Sequence, residues 1–89
     1  MAYRITQYET TPNPNALKCW LDKPISTRPR SFLNAEMASE DAIADALFSK
    51  AGATCVLMNV DWITINKSAG VNWKSMKTKV EKILGEVEH

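Results

Sequence analysis

The sequence predicts an α+β fold, a two-layer sandwich in which two helices cover one face of a mainly antiparallel sheet. Short β-rich segments come in pairs joined by short turns, which favours hairpins. Two longer segments are apolar along one side only, as expected of helices that cover a single face of a sheet. The chain has 89 residues, so we expect one domain over residues 1–89. The predicted order of elements is β-β-(β)-α-β-β-α.

The first two strands are expected at residues 3–9 and 16–21, because side chains alternate in character along both segments. Between them, residues 11–15 read Thr-Pro-Asn-Pro-Asn. Each proline fixes φ and lacks an amide donor, so neither a helix nor a central strand crosses this segment. We call residues 11–15 the proline turn. They predict a stiff, partly exposed connection within an antiparallel pair.

The segment 22–38 is the least regular part of the sequence, and its two prolines exclude a regular helix there. Residues 31–34 are expected to form a short extended piece at the sheet edge. That piece would bury Phe32 or Leu33.

The first helix is expected to begin after Ser39, a good N-cap residue. It is expected to end at Gly52, because glycine adopts the left-handed conformation that terminates helices. Two further strands are expected at residues 53–58 and 62–67. Their three-residue connection is short enough for a hairpin.

The last helix is expected to begin after Asn72, which can cap its first turn. Apolar residues then recur with helical spacing along one side. This side predicts that Trp73 lies in the core at the start of the helix, with Val80 and Ile83 further along it.

Trp20 and Trp62 point away from the apolar residues of their own strands if each strand alternates regularly. An aromatic ring outside a core suggests an interface, because exposed tryptophans often anchor protein contacts. Two alternatives stay open: the faces are inverted, or the segment 22–38 covers both rings.

Composition and charge give little or no support to several classes of protein. Hydrophobic residues make up 45% of the chain and charged residues 24%, and the net charge is +1. Such a small net charge gives little support to nucleic-acid binding, which is kept as a weak alternative. No apolar run is long enough to cross a bilayer and no signal core begins the chain, so we expect a cytoplasmic location and no membrane partner.

Signatures of enzymes are missing from the sequence. His89 is the only histidine, so no internal histidine can act as a general base. There is no nucleophile elbow, phosphate-binding loop or zinc-protease motif. We therefore predict that the chain is not an enzyme and has no catalytic residues.

The proline turn and the apolar strand after it resemble the opening of the Nfu/NifU N-terminal domain, found in iron–sulfur assembly proteins. Further matches follow in the same order as in that family and span the chain from Tyr3 to about Leu84. They are Leu47-Phe48 followed by Gly52, Val56 followed by Trp62-Ile63-Thr64-Ile65-Asn66-Lys67, and Trp73 after Asn72. The resemblance implies the same two-layer α+β sandwich.

The resemblance also implies a function, which is a non-catalytic, scaffold-like accessory or protein-binding module associated with iron–sulfur cluster assembly. The expected partner is a protein, including components of that assembly pathway; the sequence sets no oligomeric state. In longer family members a separate C-terminal domain with a C-x-x-C pair carries the cluster, and this chain has no such pair. The residues expected to form the binding surface are Thr11, Pro12, Asn13, Pro14, Asn15, Trp20, Trp62 and Lys67.

The two cysteines, Cys19 and Cys55, lie far apart in sequence and inside apolar runs. We expect both to be small core residues that bind no metal, and we expect no cofactor. The alternative is an iron–sulfur or metal-binding homodimer. In it, Cys19 and Cys55 would approach each other across the sheet, and two chains would supply four thiolates.

Overall fold

A computed structural model describes residues 3–86 of the chain. Its strands are β1 (Ile5–Thr10), β2 (Ala16–Leu21), β3 (Arg30–Phe32), β4 (Cys55–Asn59) and β5 (Trp62–Asn66). Its helices are α1 (Ala35–Ala38), α2 (Ala42–Ala51) and α3 (Trp73–Glu86). The predicted α+β class is confirmed.

The five strands form one antiparallel sheet in the order β1-β2-β5-β4-β3. It contains two hairpins, β1–β2 and β4–β5, which meet along the central pair β2–β5. Trp20 lies opposite Trp62 near one end of that pair, and Ala16 lies opposite Asn66 at the other end. The central strands therefore join residues that are 42 to 50 positions apart in the chain.

The core lies between the sheet and the helices α2 and α3. Alternation along β2, β4 and β5 directs one set of side chains into it. Fully buried members of the core include Ile43, Leu47, Val56, Met58, Ile63, Ile65, Met76 and Leu84. Both long helices thus cover one face, which produces the predicted two-layer sandwich.

The helix α2 begins at Ala42, later than the start after Ser39 that the sequence predicted. The sequence predicted no regular helix in segment 22–38, but the short helix α1 lies at its end, after both prolines. Ser39 is the C-cap of α1, and Asp41 is the N-cap of α2. The Oδ1 atom of Asp41 accepts hydrogen bonds from the amides of Ile43 and Ala44, at 2.9 and 3.0 Å. Because an N-cap carboxylate both bonds the free amides and faces the positive end of the helix, Asp41 is the stronger cap.

Two other predicted helix boundaries are confirmed, whereas the extended piece predicted at 31–34 lies at Arg30–Phe32. Gly52 ends α2 with φ at 80°, in the left-handed region. The side chain of Asn72 accepts a hydrogen bond from the amide of Lys74 at 2.7 Å, which caps α3. Of the two candidates at the β3 edge, Phe32 is buried, whereas Leu33 is 62% exposed.

Residues near the two ends of the described chain meet. The amide of Tyr3 donates a hydrogen bond to the carbonyl of Leu84 at 2.9 Å. Across residues 3–86, no helix has the length and apolar character needed to cross a bilayer.

Candidate functional site

The structure divides the predicted binding surface into two groups. The proline turn and Lys67 lie together at the sheet end where β1 leads into β2, since the amide of Lys67 donates to the carbonyl of Asn15 at 2.8 Å. Trp20 and Trp62 lie side by side on the sheet, near the other end of the β2–β5 pair. The predicted residues therefore lie in two separate groups.

Internal hydrogen bonds fix the shape of the proline turn. The hydroxyl of Thr11 donates to the carbonyl of Ala16 at 3.0 Å, and the amide of Asn15 donates to Oδ1 of Asn13 at 2.9 Å. The amide of Ala16 donates to the carbonyl of Asn13 at 3.0 Å. Pro12, Asn13 and Pro14 are exposed. The turn is thus ordered and presents its prolines outward, as predicted.

Two side chains from distant parts of the chain hold the turn against the domain. Lys67 is only 8% exposed, and its Nζ atom donates a hydrogen bond to Oδ1 of Asn15 at 3.1 Å. The indole N–H of Trp73 donates to the carbonyl of Pro14 at 3.0 Å. The Lys67 ammonium also lies 5.4 Å from the centroid of the Trp73 ring. Lys67, which directly follows β5, and Trp73 on α3 therefore hold the turn in place, and we call these two contacts the clamp.

The prediction that Trp73 lies in the core is wrong. Its side chain is partly buried and packs against the core from the side. Its N–H needs a hydrogen-bond partner, and the Pro14 carbonyl supplies one at the surface. Val80 and Ile83 are buried, as predicted. Sequence spacing carried no signal for the contact between Trp73 and the turn, because the two residues are far apart in the chain.

We expect the double substitution Pro12→Ala/Pro14→Ala to lower the free energy of unfolding by only about 1–2 kcal/mol, since it mainly frees the unfolded chain. Neither peptide bond is cis, and the bonds to Lys67 and Trp73 use backbone or Asn15 atoms that remain. Denaturant unfolding of the variant and the parent chain measures the difference. Collapse of the fold would instead show that the prolines themselves are required for the clamp.

The second group is a cross-strand pair of tryptophans with a lysine over it. The ring centroids of Trp20 and Trp62 are 6.5 Å apart at an interplanar angle of 58°. The Nζ atom of Lys18 lies 4.3 Å from each centroid. The indole N–H of Trp20 donates to Oε1 of Glu9 at 3.2 Å. We call Lys18, Trp20 and Trp62 the indole cluster.

The indole cluster lies on the sheet face opposite the core, as the alternation in β2 and β5 predicts. Lys18, Trp20 and Trp62 are all half-buried, whereas their strand neighbours Cys19 and Ile63 are fully buried. Side chains of the same face surround the cluster on the flanking strands. We call this side of the sheet the open face; it includes Glu9, Lys18, Trp20, Leu57, Asn59, Trp62 and Thr64.

The cysteines do not form a shared site. Cys19 points into the core and is 2% exposed, and burial raises the pKa of its thiol to about 12. Cys55 is half-buried on the other side of the sheet, since it alternates with the buried Val56. The prediction that Cys55 is a core residue is therefore wrong, and the two cysteines cannot meet across the sheet because they lie on opposite faces.

This donor set does not fit an iron–sulfur cluster held by Cys19 and Cys55. A cluster must contact all of its thiolate ligands at once, and Cys19 and Cys55 lie on opposite faces of the sheet. Within residues 3–86, no three side chains of His, Cys, Asp or Glu come together in a way that could hold a metal ion. His89 lies outside the described residues.

We expect Cys55 of the folded chain to be alkylated by iodoacetamide at pH 8 well before Cys19, because Cys19 is buried and its pKa is raised. Peptide mass spectrometry at successive times measures both sites. In Cys55→Ser, Cys19 should stay unmodified until denaturant is added. Equal reaction rates in the folded chain would contradict the burial of Cys19.

The same raised pKa has a consequence for stability. The folded state keeps the Cys19 thiol protonated, whereas the unfolded chain loses this proton above its pKa of about 9. The stabilisation that the protonated thiol gives to the folded state is therefore fully present below pH 9 and is lost as pH rises toward about 12.

The chain matches the family model described as "Scaffold protein Nfu/NifU N terminal" over residues 5–88. It is 32% identical over 80 residues to a Homo sapiens protein described as a mitochondrial iron-sulfur cluster scaffold homolog, covering 88% of this chain and 32% of that protein. It is 33% identical over 81 residues to a NifU-like protein of Schizosaccharomyces pombe, covering 88% of this chain and 31% of that protein. The chain thus spans less than a third of the length of these curated relatives.

Two solved structures are similar to this one. A NifU-like protein from Saccharomyces cerevisiae has a TM-score of 0.74 and 26% identity, with 91% of this chain and 76% of that chain covered. The crystal structure of protein SAV1430 from Staphylococcus aureus has a TM-score of 0.73 and covers 90% of this chain and 96% of that chain. Its 22% identity shows a likeness of fold alone. Because the family model covers nearly the whole sequence, this chain belongs to the Nfu/NifU N-terminal family.

Proposed function

We propose that this chain is a non-catalytic, protein-binding module in iron–sulfur cluster assembly, and that it docks its partner on the open face. Its family membership supports the association with cluster assembly. The proposed partner is a protein of that pathway, and we propose no resident cofactor for the residues described here.

The observation that supports the open face as the docking surface is the pair of tryptophans outside the core. Trp20 and Trp62 keep part of their rings accessible on the sheet face that faces away from α2 and α3. Tryptophan is enriched among the residues that contribute most to protein interfaces. Because both rings stand on paired strands, little conformational freedom is lost when a partner covers them.

Neither Cys19 nor Tyr8 is poised for acid–base catalysis near pH 7. Burial raises the pKa of Cys19 and of Tyr8 away from neutrality, and the Tyr8 hydroxyl donates to the Glu81 carboxylate. Groups with such values hold their protons near pH 7, so they are poorly suited to acid–base catalysis there. Acid–base chemistry at neutral pH needs the opposite direction of shift in these residue types.

The proline turn is the less favoured docking surface. Its backbone and side chains already bond to Lys67, Trp73 and each other, which leaves the outward sides of Pro12, Asn13 and Pro14 for a partner. Its part in binding stays a prediction, and so does a cytoplasmic location. The relative from Homo sapiens is described as mitochondrial, and fractionation of the native cells tests the compartment.

The test places a photo-crosslinking amino acid at Leu57, which lies on the open face outside the indole cluster, and, as control, at the exposed position Thr78 on α3. Crosslinked proteins from native cells are identified by mass spectrometry. We expect assembly-pathway proteins at position 57 and not at position 78. Titration of the purified partner should then show at least about 30-fold weaker binding for Trp62→Ala, corresponding to about 2 kcal/mol or more. Equal binding by Trp62→Ala and Thr78→Ala would refute the docking surface.

A further inference from the structure

We propose that the partner of the open face presents a carboxylate to Lys18, at the centre of the indole cluster. This inference rests on the proposed function of the open face. It adds the chemistry of the group that the partner must carry.

Lys18 occupies the place that a partner would have to cover. Its Nζ atom is equally close to both rings, at 4.3 Å from each centroid. A partner that covers Trp20 and Trp62 therefore covers the ammonium as well. In the described part of the chain, Lys18 makes no side-chain hydrogen bond or ion pair to a protein acceptor, so water must satisfy its three N–H donors.

Covering Lys18 removes that water. An ammonium group that loses its water without gaining an acceptor is strongly destabilised, and two ring faces do not replace hydrogen-bond acceptors. A carboxylate supplies both the acceptor and the opposite charge, in a charge-assisted hydrogen bond. A purely apolar partner surface would leave the ammonium unpaired, and a cationic one would repel it.

Glu9 makes the expected arrangement more specific. It stands opposite Lys18 in the β1–β2 register, and its Oε1 atom accepts the indole N–H of Trp20 at 3.2 Å. Glu9 is thus engaged with Trp20 and adds a negative charge to the β1 side of the cluster. A partner carboxylate is accordingly expected over Lys18, with no second carboxylate on the Glu9 side.

The experiment selects binders from a displayed library of random 12-residue peptides, in parallel on the unmodified chain and on Lys18→Met. Methionine keeps an unbranched apolar side chain over the rings and removes the charge. We expect Asp and Glu to be enriched among the peptides bound by the unmodified chain and not among those bound by Lys18→Met. For one selected peptide, changing its Glu to Gln should weaken binding at least tenfold, and added salt should weaken it too.

Two variants of the open face serve as controls. Trp20→Ala should abolish binding of the selected peptide. Glu9→Gln keeps an acceptor for the Trp20 N–H and removes the like charge, so binding should be unchanged or tighter.

The outcomes separate this inference from the proposed function. If Trp20→Ala abolishes binding but Lys18→Met binds the same peptides equally or more tightly, the open face is a docking surface and the carboxylate is refuted. If no peptide is selected, or if Trp20→Ala binds as the unmodified chain does, the docking surface fails and the carboxylate fails with it.

Discussion

Replacing Leu47 with alanine is expected to lower the free energy of unfolding by about 3–5 kcal/mol. Leu47 is completely buried in α2, within the core cluster between the sheet and the helices. The lost methyl groups would leave a cavity that a close-packed interior fills only in part. A domain of this length has a total stability of roughly 4–13 kcal/mol, so the loss takes a large share of it.

The matched control is the same substitution at Leu33, which is 62% exposed beside the β3 edge. Leu33→Ala should change stability by less than about 0.5 kcal/mol. Urea unfolding followed by circular dichroism compares the three chains. Similar losses in Leu47→Ala and Leu33→Ala would mean that α2 does not pack on the sheet as described.

Replacing Trp73 with alanine is expected to lower the free energy of unfolding by about 2–4 kcal/mol. The value lies below that for a fully buried tryptophan, because the Trp73 ring is only partly buried. The substitution also removes the hydrogen bond to the Pro14 carbonyl and the ring beside the Lys67 ammonium. Both changes release the proline turn from α3.

Trp73→Phe isolates the hydrogen bond, since it keeps an aromatic ring and removes the N–H donor. Its expected loss is about 1 kcal/mol. Thermal unfolding gives the order of stabilities, and amide exchange at Asn15 and Ala16 reports whether the turn loosens. If Trp73→Phe loses as much as Trp73→Ala, the N–H bond rather than the ring holds the turn in place.

The sequence predicted the elements with strong local signals. Alternation located the long strands. Gly52 correctly marked the end of α2, and Asn72 marked the start of α3. The sheet face that carries Trp20 and Trp62 also followed from alternation. These features depend on neighbours in the chain, which a sequence displays directly.

Two errors concern local signals that compete with one another, and one missed feature depends on contacts between distant residues. The sequence offered Ser39 as a cap, but Asp41 caps α2 and also receives a hydrogen bond from the Arg30 guanidinium at 3.0 Å. Cys55 looked like a core residue because its run is apolar, yet alternation in β4 turns it away from the helices. The clamp that joins Lys67 to the proline turn depends on which strands pair, and hydrophobic pattern alone did not give that pairing.

The central β2–β5 pair couples ligand binding to folding. Trp20 stands on one hairpin and Trp62 on the other, so the two rings meet only when β2 has paired with β5. A ligand that contacts both rings therefore binds the folded chain and not the unfolded one. At a free concentration one hundred times its dissociation constant, such a ligand raises the free energy of unfolding by about 2.7 kcal/mol. Its presence would be detectable as a rise in melting temperature, without any measurement of the complex itself.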